Sequence, residues 1–276
     1  MLSSKPVASA ILAVYNGETT ITAALNSLLA QTASTEIIVV DDGSTDSTPK
    51  LLRAYRDQVR VLRQKHQGPA VARNLGASFA KSDILLFVDA DMIFAKNYVR
   101  DLIAPLESVI GTYTTNELVS NWDNPWARCW NWEEGWEDKK RFPPNPPEWG
   151  TDFRAIRKVN FDQVTGFSDT GYTDTWTLFQ KLGARPRATH ALCYHANPAT
   201  LTSVYAHARW VAKRPYKFGQ LGLLYALART SLPISLVEGV YKSVLHADPR
   251  FLVFKVIYDW GRFVGISGLL AKKSNY

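Results

Sequence analysis

Two carboxylates separated by one small residue, Asp89 and Asp91 around Ala90, directly follow the apolar run ILLFV at 84–88. Side chains at i and i+2 at the end of a strand can face one small volume. There their oxygens can hold Mg²⁺ or Mn²⁺ against a diphosphate. A cation in that position neutralises the charge that builds on a leaving nucleotide diphosphate. The pair therefore predicts a divalent-cation site, although the short Asp-x-Asp pattern is weak by itself.

The elements that must position this pair are strands alternating with helices. Apolar runs predict strands at 7–14, 36–40, 59–62 and 84–88, and helical periodicity predicts helices at 18–31, 48–57 and 69–80. This alternation is typical of a parallel sheet with crossover helices, where ligands bind beyond the carboxyl ends of the strands. The polar clusters lie at those ends: Tyr15-Asn16, Asp41-Asp42 and the Asp89–Asp91 pair.

Several segments in order carry a resemblance to one family. They are ILAVYNGE (11–18), VVDDGSTDST (39–48), GPAVARNLGASFAKSDILLFVDADM (68–92), GTDFRAIRK (150–158) and GFSD (166–169). Over about residues 7–185 the chain resembles the inverting family 2 glycosyltransferases with the GT-A fold. The resemblance implies an α/β fold with a Rossmann-like mixed sheet, a nucleotide diphosphate sugar as donor, and Mn²⁺ or Mg²⁺ as cofactor.

The resemblance also assigns residues to the donor and the metal. Asp91 would be the main metal ligand, and Asp89 would contact the sugar or ribose and complete the metal site. Asp42, helped by Asp41, would accept hydrogen bonds from the base or ribose, although these residues are also typical of a turn with a helix cap. The full set predicted to bind the nucleotide sugar is Ala13, Tyr15, Glu18, Asp41, Asp42, Arg73, Asp89, Ala90 and Asp91.

Inversion at the anomeric carbon needs a base opposite the leaving diphosphate. The resemblance places Asp174 in that role, although Thr173 stands where the family usually has Glu. Asp152 and Asp169 are weaker alternatives for the base, and we interpret them as structural or acceptor-orienting residues. If the acceptor is an ionised lipid phosphate, no base is needed and Asp174 would only position it.

A partial motif lies further along the chain. His207, Ala208, Arg209 and Trp210 are similar to the Gln-x-x-Arg-Trp motif of membrane-bound polysaccharide synthases in the same family, with Ala206 at the Gln position. Arg209 would bind the diphosphate and Trp210 would stack on a sugar. An ordinary amphipathic helix accounts for both residues almost as well.

The last quarter of the chain holds the whole basic excess. Residues 201–276 contain 11 Lys or Arg and 3 Asp or Glu, whereas residues 1–200 contain 21 and 22. A localised positive charge predicts a polyanionic partner. Lys255, Asp259 and Arg262 share one helical face on an otherwise apolar stretch, which favours a helix that lies in a membrane interface. A helix packed on the catalytic domain with one solvated stripe is the alternative.

Aromatic and imidazole side chains are interpreted more simply. Trp122, Trp126 and Trp130 repeat every four residues, which is more typical of a packing face than of a sugar platform. The histidines lack metal-ligand spacing and are interpreted as structural: His66, His190, His195, His207 and His246.

These observations predict a catalytic domain at 1–200 and a helical, membrane-associated segment at 201–276. The expected function is inverting transfer from a UDP- or GDP-linked sugar to a lipid-linked or saccharide acceptor on an anionic membrane surface. Because the N-terminus lacks the apolar run of a signal peptide, we expect the cytoplasmic face. No nucleic-acid motif is present, so no nucleic-acid partner is expected. The alternatives are a soluble glycosyltransferase whose basic C-terminus binds the acceptor or dimerises, and a non-catalytic membrane-binding module.

Overall fold

The computed structural model describes residues 5–169, 174–213 and 216–273, without the side chains of residues 174–175 and 271–273. The chain divides into two compact units: Met1–Leu118 with Asn145–His195, and Val119–Pro144 with Ala196–Tyr276. The first is called the α/β unit and the second the helical unit. Each forms around its own buried apolar clusters.

The α/β unit begins with the predicted alternation. Its first four strands are β1 (Ala8–Val14), β2 (Thr35–Asp41), β3 (Arg60–Arg63) and β4 (Ile84–Asp89), all parallel in the order β3-β2-β1-β4. The connecting helices are α1 (Ile21–Leu29), α2 (Thr48–Arg53) and α3 (Pro69–Ser78). β1 and β4 are buried along nearly their whole length, as expected of parallel strands covered on both faces. The expected GT-A-type α/β architecture is confirmed.

Close packing between α3 and the sheet depends on Gly76. A Cβ at this position would lie 2.5 Å from Cγ2 of Ile11 and 3.2 Å from Cγ2 of Val40. Only a residue without a side chain therefore lets this helix rest on β1 and β2 at the observed distance. The helix thereby holds Arg73, on its middle turn, near the end of β4.

The rest of the α/β unit makes the sheet mixed. After β5 (Met92–Phe94), α4 (Tyr98–Ile103), a 3₁₀ turn (Ala104–Glu107), β6 (Gly111–Thr114) and β7 (Glu117–Val119), the chain returns in β8 (Ala155–Arg157). β8 lies antiparallel between β4 and β6, and β9 (Arg187–Thr189) closes this edge. Helices α6 (Lys158–Gln163) and α7 (Asp174–Leu182) lie between β8 and β9 in the chain.

A second, small sheet forms beside the first in the same unit. It has the strand order β5-β10-β7, where β10 is Cys193–His195. Residues that are far apart in the chain become neighbours in this sheet, since His195 on β10 is paired with Met92 on β5. The pairing places His195 beside Asp91.

The helical unit contains α5 (Pro125–Glu133), α8 (Leu201–Val211), α9 (Gly219–Ala228), α10 (Leu232–Leu245) and α11 (Arg250–Lys273). The sequence assigned residues 119–144 to the catalytic domain, whereas they pack with the C-terminal helices instead. The tryptophans explain this difference. Trp130 is buried, with its ring 5.4 Å from that of Tyr258 on α11 and 5.1 Å from that of His207 on α8. The tryptophan repeat is thus a packing face.

The charged stripe expected on the surface of α11 lies inside the helical unit. Lys255 and Asp259 are each 1 % exposed, so the prediction of a solvated or headgroup-facing stripe is wrong. Lys255 Nζ lies 2.7 Å from Oε1 of Glu133 on α5 and 3.2 Å from Oδ2 of Asp259. Partners of opposite charge on neighbouring helices draw the stripe inward, and helical spacing alone cannot reveal them.

Length and hydropathy determine which of the described helices could span a membrane. None of them is long and apolar enough to cross a bilayer alone, and only α9 and α10 together, bent by 68°, reach the required length and hydropathy.

Candidate active site

Asp89, the last residue of β4, lies between two arginines. Its Oδ1 is 2.8 Å from Nη2 of Arg73 on α3, and its Oδ2 is 2.7 Å from Nη1 of Arg154. Backbone pairing positions Arg154 here, because its carbonyl accepts from the N–H of Phe87 on β4 while its N–H donates to Thr112 on β6. Both carboxylate oxygens are therefore engaged by the protein itself.

Burial and charge act in opposite directions on the ionisation of Asp89. Burial raises the pKa of this carboxyl, but the guanidiniums of Arg154 and Arg73 outweigh it and hold the pKa well below its usual range. Burial likewise opposes the charge of Arg154, yet Asp152 and Asp89 raise the pKa of its guanidinium well above the usual value. Asp89 and Arg154 are thus both ionised at neutral pH.

Asp91, two residues further on, has a different environment. Its side chain is 40 % exposed, and its Oδ1 lies 3.1 Å from Nε2 of His195. The other ring nitrogen of His195, Nδ1, is 2.7 Å from Oε1 of the buried Glu117 at the start of β7. Glu117 orients the imidazole so that Nε2 points to Asp91, an arrangement common around metal-binding histidines.

The chemistry of these groups was compared with that of a divalent-cation site. Asp91 and His195 present a carboxylate oxygen and an imidazole nitrogen side by side, both suitable for Mn²⁺. Among the described residues, no three His, Cys, Asp or Glu side chains are grouped so that they could hold a metal ion. The pair fits a cation that takes its remaining ligands from substrate phosphates and water. Asp89, with both oxygens on arginines, fits less well as a direct ligand than the sequence predicted.

Asp42 organises the loop that follows β3. Its Oδ1 accepts from Nε2 of Gln64 at 2.7 Å and from the N–H of Gln67 at 2.9 Å. Its Oδ2 accepts from the N–H of Gly68 at 2.8 Å and lies 2.9 Å from Nδ1 of His66. A carboxylate has about four acceptor positions, and all four are used within the chain. Direct acceptance from a base or ribose stays a prediction that needs one of these partners to move.

Asp41 and Glu18 stabilise the neighbouring turns. Asp41 Oδ1 accepts from the N–H of Ser44 at 2.9 Å, which is the turn that the sequence predicted. Glu18 Oε2 accepts from the N–H of Ser47 at 2.9 Å, at the start of α2. The carboxylate of Glu18 is therefore used at a helix N-terminus, where negative charge is favourable.

The ring of Tyr15 lies at the end of β1 and stacks on the ring of His66. The ring centroids are 4.1 Å apart with an interplanar angle of 28°, and the side chains of both residues are about half exposed. A planar base could stack on such a surface. On the same strand end, the backbone of Ala13 pairs with Asp89, and Ala90 is half-buried.

The predicted acceptor-side residues lie in different places. Asp152 Oδ2 is 3.1 Å from Nε of Arg154, so Asp152 joins the Asp89 cluster. Asp174 is the first residue of α7, and its side chain lies outside the described part of the chain. Arg209 and Trp210 are exposed on α8 of the helical unit and do not belong to the α/β unit that holds the other residues.

Comparison with known proteins identifies the family. Residues 9–164 match the sequence profile described as glycosyl transferase family 2, which covers more than half of the chain. The chain belongs to glycosyl transferase family 2. Glycosyltransferase GlyG of Streptococcus pneumoniae is 36% identical to this family 2 member over 115 residues, covering 38% of each chain. The chain thus spans less than two fifths of the length of the curated relatives it matches first.

Solved structures confirm the fold over nearly the whole chain. The mannosyltransferase PcManGT from Pyrobaculum calidifontis, in complex with GDP-Man and Mn²⁺, has a TM-score of 0.61 at 18% identity, covering 98% of this chain and 89% of its own. S. aureus TarS 1-349, in complex with UDP-GlcNAc, has a TM-score of 0.52 at 16% identity, covering 96% and 92%. At such identities the similarity concerns the fold alone.

Sequence reasoning missed three residues of this candidate site. His195 and Glu117 were not selected, and only strand pairing in the small sheet brings them to Asp91. Arg154 carried a local signal, because it lies two residues after Asp152 in a segment that already resembled the family. An arginine near two predicted carboxylates could have been proposed as their partner.

Proposed function

We propose that this family 2 glycosyltransferase transfers a sugar, with inversion, from a UDP- or GDP-linked donor to a lipid-linked or membrane-proximal acceptor. The proposal rests on the different environments of Asp89 and Asp91. Asp89 is neutralised by two arginines, while Asp91 lies half-exposed beside His195. A site of this kind suits a substrate that brings its own phosphates and a cation.

Asp91 and His195 would hold Mn²⁺ or Mg²⁺ in this proposal. A cation bound there would neutralise the charge that develops on the leaving nucleotide diphosphate. Arg73 and Arg154 keep Asp89 ionised and fixed, and in this proposal Asp89 would contact the sugar or ribose of the donor. Tyr15 and His66 would stack on the nucleobase. The UDP-GlcNAc and GDP-Man complexes of the structural neighbours support both donor classes.

Asp174 would act as the base for an acceptor hydroxyl, at a position opposite the leaving group. Its place in the chain, at the N-terminus of α7, supports the role through the family resemblance alone. With a lipid phosphate as acceptor, the oxygen that attacks is already ionised, and Asp174 would only orient it.

A membrane location at the cytoplasmic face is part of the same proposal. The net charge of +8 over residues 201–276 and the exposed apolar side chains of α9 and α10 support it. A soluble transferase that uses the same basic segment to bind a saccharide acceptor or to dimerise is the alternative.

Nucleotide-sugar screening tests the donor part of the proposal. Purified protein is incubated with UDP- and GDP-linked sugars, with Mn²⁺ or with a chelator, and donor hydrolysis and thermal stabilisation are measured. We expect one donor class to be hydrolysed slowly and to raise the melting temperature only when Mn²⁺ or Mg²⁺ is present. Equal stabilisation with and without the cation would contradict the metal role of Asp91.

A further inference from the structure

Helix α10 exposes apolar side chains on its outer side, unlike a surface helix of a soluble protein. Its residues Val237, Val240, Tyr241 and Val244, spaced i, i+3, i+4 and i+7, are between 53 % and 77 % exposed. A surface helix of a soluble protein normally turns such an apolar stripe towards the core and its polar residues towards the solvent. Here the apolar stripe is on the outside.

The polar residues of α10 face the interior of the helical unit. Glu238 Oε2 lies 2.9 Å from Nζ of the buried Lys255, and Lys242 Nζ lies 2.9 Å from Oε2 of Glu133 on α5. Ser235 donates from its hydroxyl to Oδ2 of Asp259 at 2.8 Å. The charges of Glu238 and Lys242 and the hydroxyl of Ser235 thus have partners inside the helical unit, and the outer face of α10 stays apolar.

Helix α9, which precedes α10 in the chain, also exposes apolar side chains. Leu221 and Leu224 are 75 % and 55 % exposed, and the helix is uncharged from Gly219 to Ala228. We name the exposed residues Leu221, Leu224, Val237, Val240, Tyr241 and Val244 the outer face. Exposed apolar side chains grouped in this way mark interaction sites.

The charge around the outer face selects the partner. All three acids between residues 201 and 276 are paired with basic side chains: Glu238 and Asp259 with Lys255, and Asp248 with Arg250. The basic excess of this stretch thus remains, and Lys213 and Lys217 are exposed close to the start of α9, while Arg229 at its end pairs with Glu238. A second copy would bring the same positive charge and be repelled, whereas anionic headgroups are attracted.

We infer that the outer face of α9 and α10 inserts into the interface of an anionic bilayer, with the exposed basic residues at the level of the headgroups. At 1.5 Å per residue, α10 is about 21 Å long and α9 about 15 Å, which suits burial along the interface. The inference rests on the proposed membrane location and assigns it to a defined surface. This surface takes the membrane-binding role that the sequence analysis gave to α11, whose charged stripe is buried.

Vesicle co-sedimentation of the full chain tests this assignment. Wild-type protein should sediment with phosphatidylcholine vesicles that contain phosphatidylglycerol, and bind less to pure phosphatidylcholine or at high salt. Val237→Asp should lower the partition coefficient by about tenfold or more, because it removes apolar burial and places an anion at the surface. Val159→Asp on α6 is the matched control, since Val159 is 68 % exposed and Val237 is 71 % exposed. The control should leave binding unchanged.

Three results would overturn the inference. The first is a wild-type protein that does not sediment with anionic vesicles. The second is an equal loss of vesicle binding in Val237→Asp and Val159→Asp. The third is a wild-type dimer in the absence of lipid that Val237→Asp converts to a monomer. Circular dichroism verifies that both variants fold, and Val244→Asp, at a second position 77 % exposed, repeats the test. Donor hydrolysis without vesicles is measured in parallel. A wild-type protein that hydrolyses the donor but does not bind vesicles rejects the surface, and one that binds vesicles but does not hydrolyse any donor rejects the proposed donor chemistry.

Discussion

Replacing Asp89 by Asn tests whether this residue neutralises two buried arginines. The substitution keeps the shape of the side chain and removes its charge. In the wild type, the carboxylate contacts Arg73 at 2.8 Å and Arg154 at 2.7 Å, and the three side chains are 26 %, 11 % and 14 % exposed. The variant leaves Arg73 and Arg154 close together without the carboxylate between them, while Asp152 still contacts Arg154 at 3.1 Å.

The expected loss of stability follows from this geometry. Removing one partner of a buried ion pair costs about 3–5 kcal/mol, because the other partner stays buried without compensation. The amide oxygen of Asn can still accept one hydrogen bond, and Arg154 keeps Asp152. We therefore expect a value near the lower limit, about 3 kcal/mol in the free energy of unfolding of the α/β unit.

Urea unfolding followed by far-UV circular dichroism measures this loss, and hydrogen exchange of the β4 amides assigns it to the α/β unit. Asp83→Asn is the control, because Asp83 pairs with Lys5 on the surface, where their side chains are 88 % and 58 % exposed. Exposed pairs contribute little, so the control should change stability by about 0.5 kcal/mol or less. Similar losses in the two variants would refute the role of Asp89 as the neutralising centre.

The pH dependence gives a second measurement on the same pair of proteins. The folded-state pKa of Asp89 is lowered, so its stabilising contribution is complete above the unfolded-state pKa of about 3.9 and is lost as the pH falls towards the folded-state pKa. The difference between wild type and Asp89→Asn should thus be constant from neutral pH to about pH 5 and shrink only in stronger acid. A difference that disappears near pH 6 would contradict the depressed pKa.

Three further substitutions test the metal, the base and the helix packing. Asp91→Asn should nearly abolish transfer and weaken Mn²⁺-dependent nucleotide binding measured by calorimetry, since an amide is a poorer ligand for a hard cation. Normal transfer rates in a folded variant would show that Asp91 is not a metal ligand. Asp174→Asn should lower kcat by about 10²–10⁴ and leave donor affinity unchanged in steady-state assays; a proportional fall in affinity would instead place Asp174 in the donor pocket. Gly265→Ala should destabilise the helical unit by about 1–3 kcal/mol, because the added Cβ would lie 2.4 Å from the carbonyl oxygen of Arg209 on α8. Gly268→Ala, with no heavy atom within 4 Å of its added Cβ, is the matched control and should be neutral or stabilising in thermal unfolding.

The strands and helices of the first hundred residues could be predicted from the sequence because their signals are local. The strand predicted at 84–88 is β4 at Ile84–Asp89, and the helix predicted from Pro69 begins there. Parallel strands covered on both faces are continuous apolar runs, and their polar C-terminal residues mark one edge of the sheet. The positions of Asp41, Asp89 and Asp91 at strand ends follow from this pattern.

The partners of those residues depended on contacts between distant segments. Arg154 reaches Asp89 because β8 inserts antiparallel beside β4, and His195 reaches Asp91 because β10 pairs with β5. Neither pairing has a signal in the local sequence, since register is set by which strands share a sheet. The interpretation of His66 and His195 as structural stays a prediction, and the sequence did not reveal the carboxylates they contact because no regular spacing links them.

In the helical unit, what the sequence predicted differs most clearly from what the tertiary structure decided. Composition alone revealed that residues 201–276 are basic, helical and rich in apolar side chains. Which face of each helix is outside was decided by tertiary contacts, because Glu133, from a segment more than 100 residues earlier in the chain, draws Lys242 and Lys255 inward. Helical periodicity specifies which residues share a face, but only the charges and packing surfaces of neighbouring helices determine where that face points.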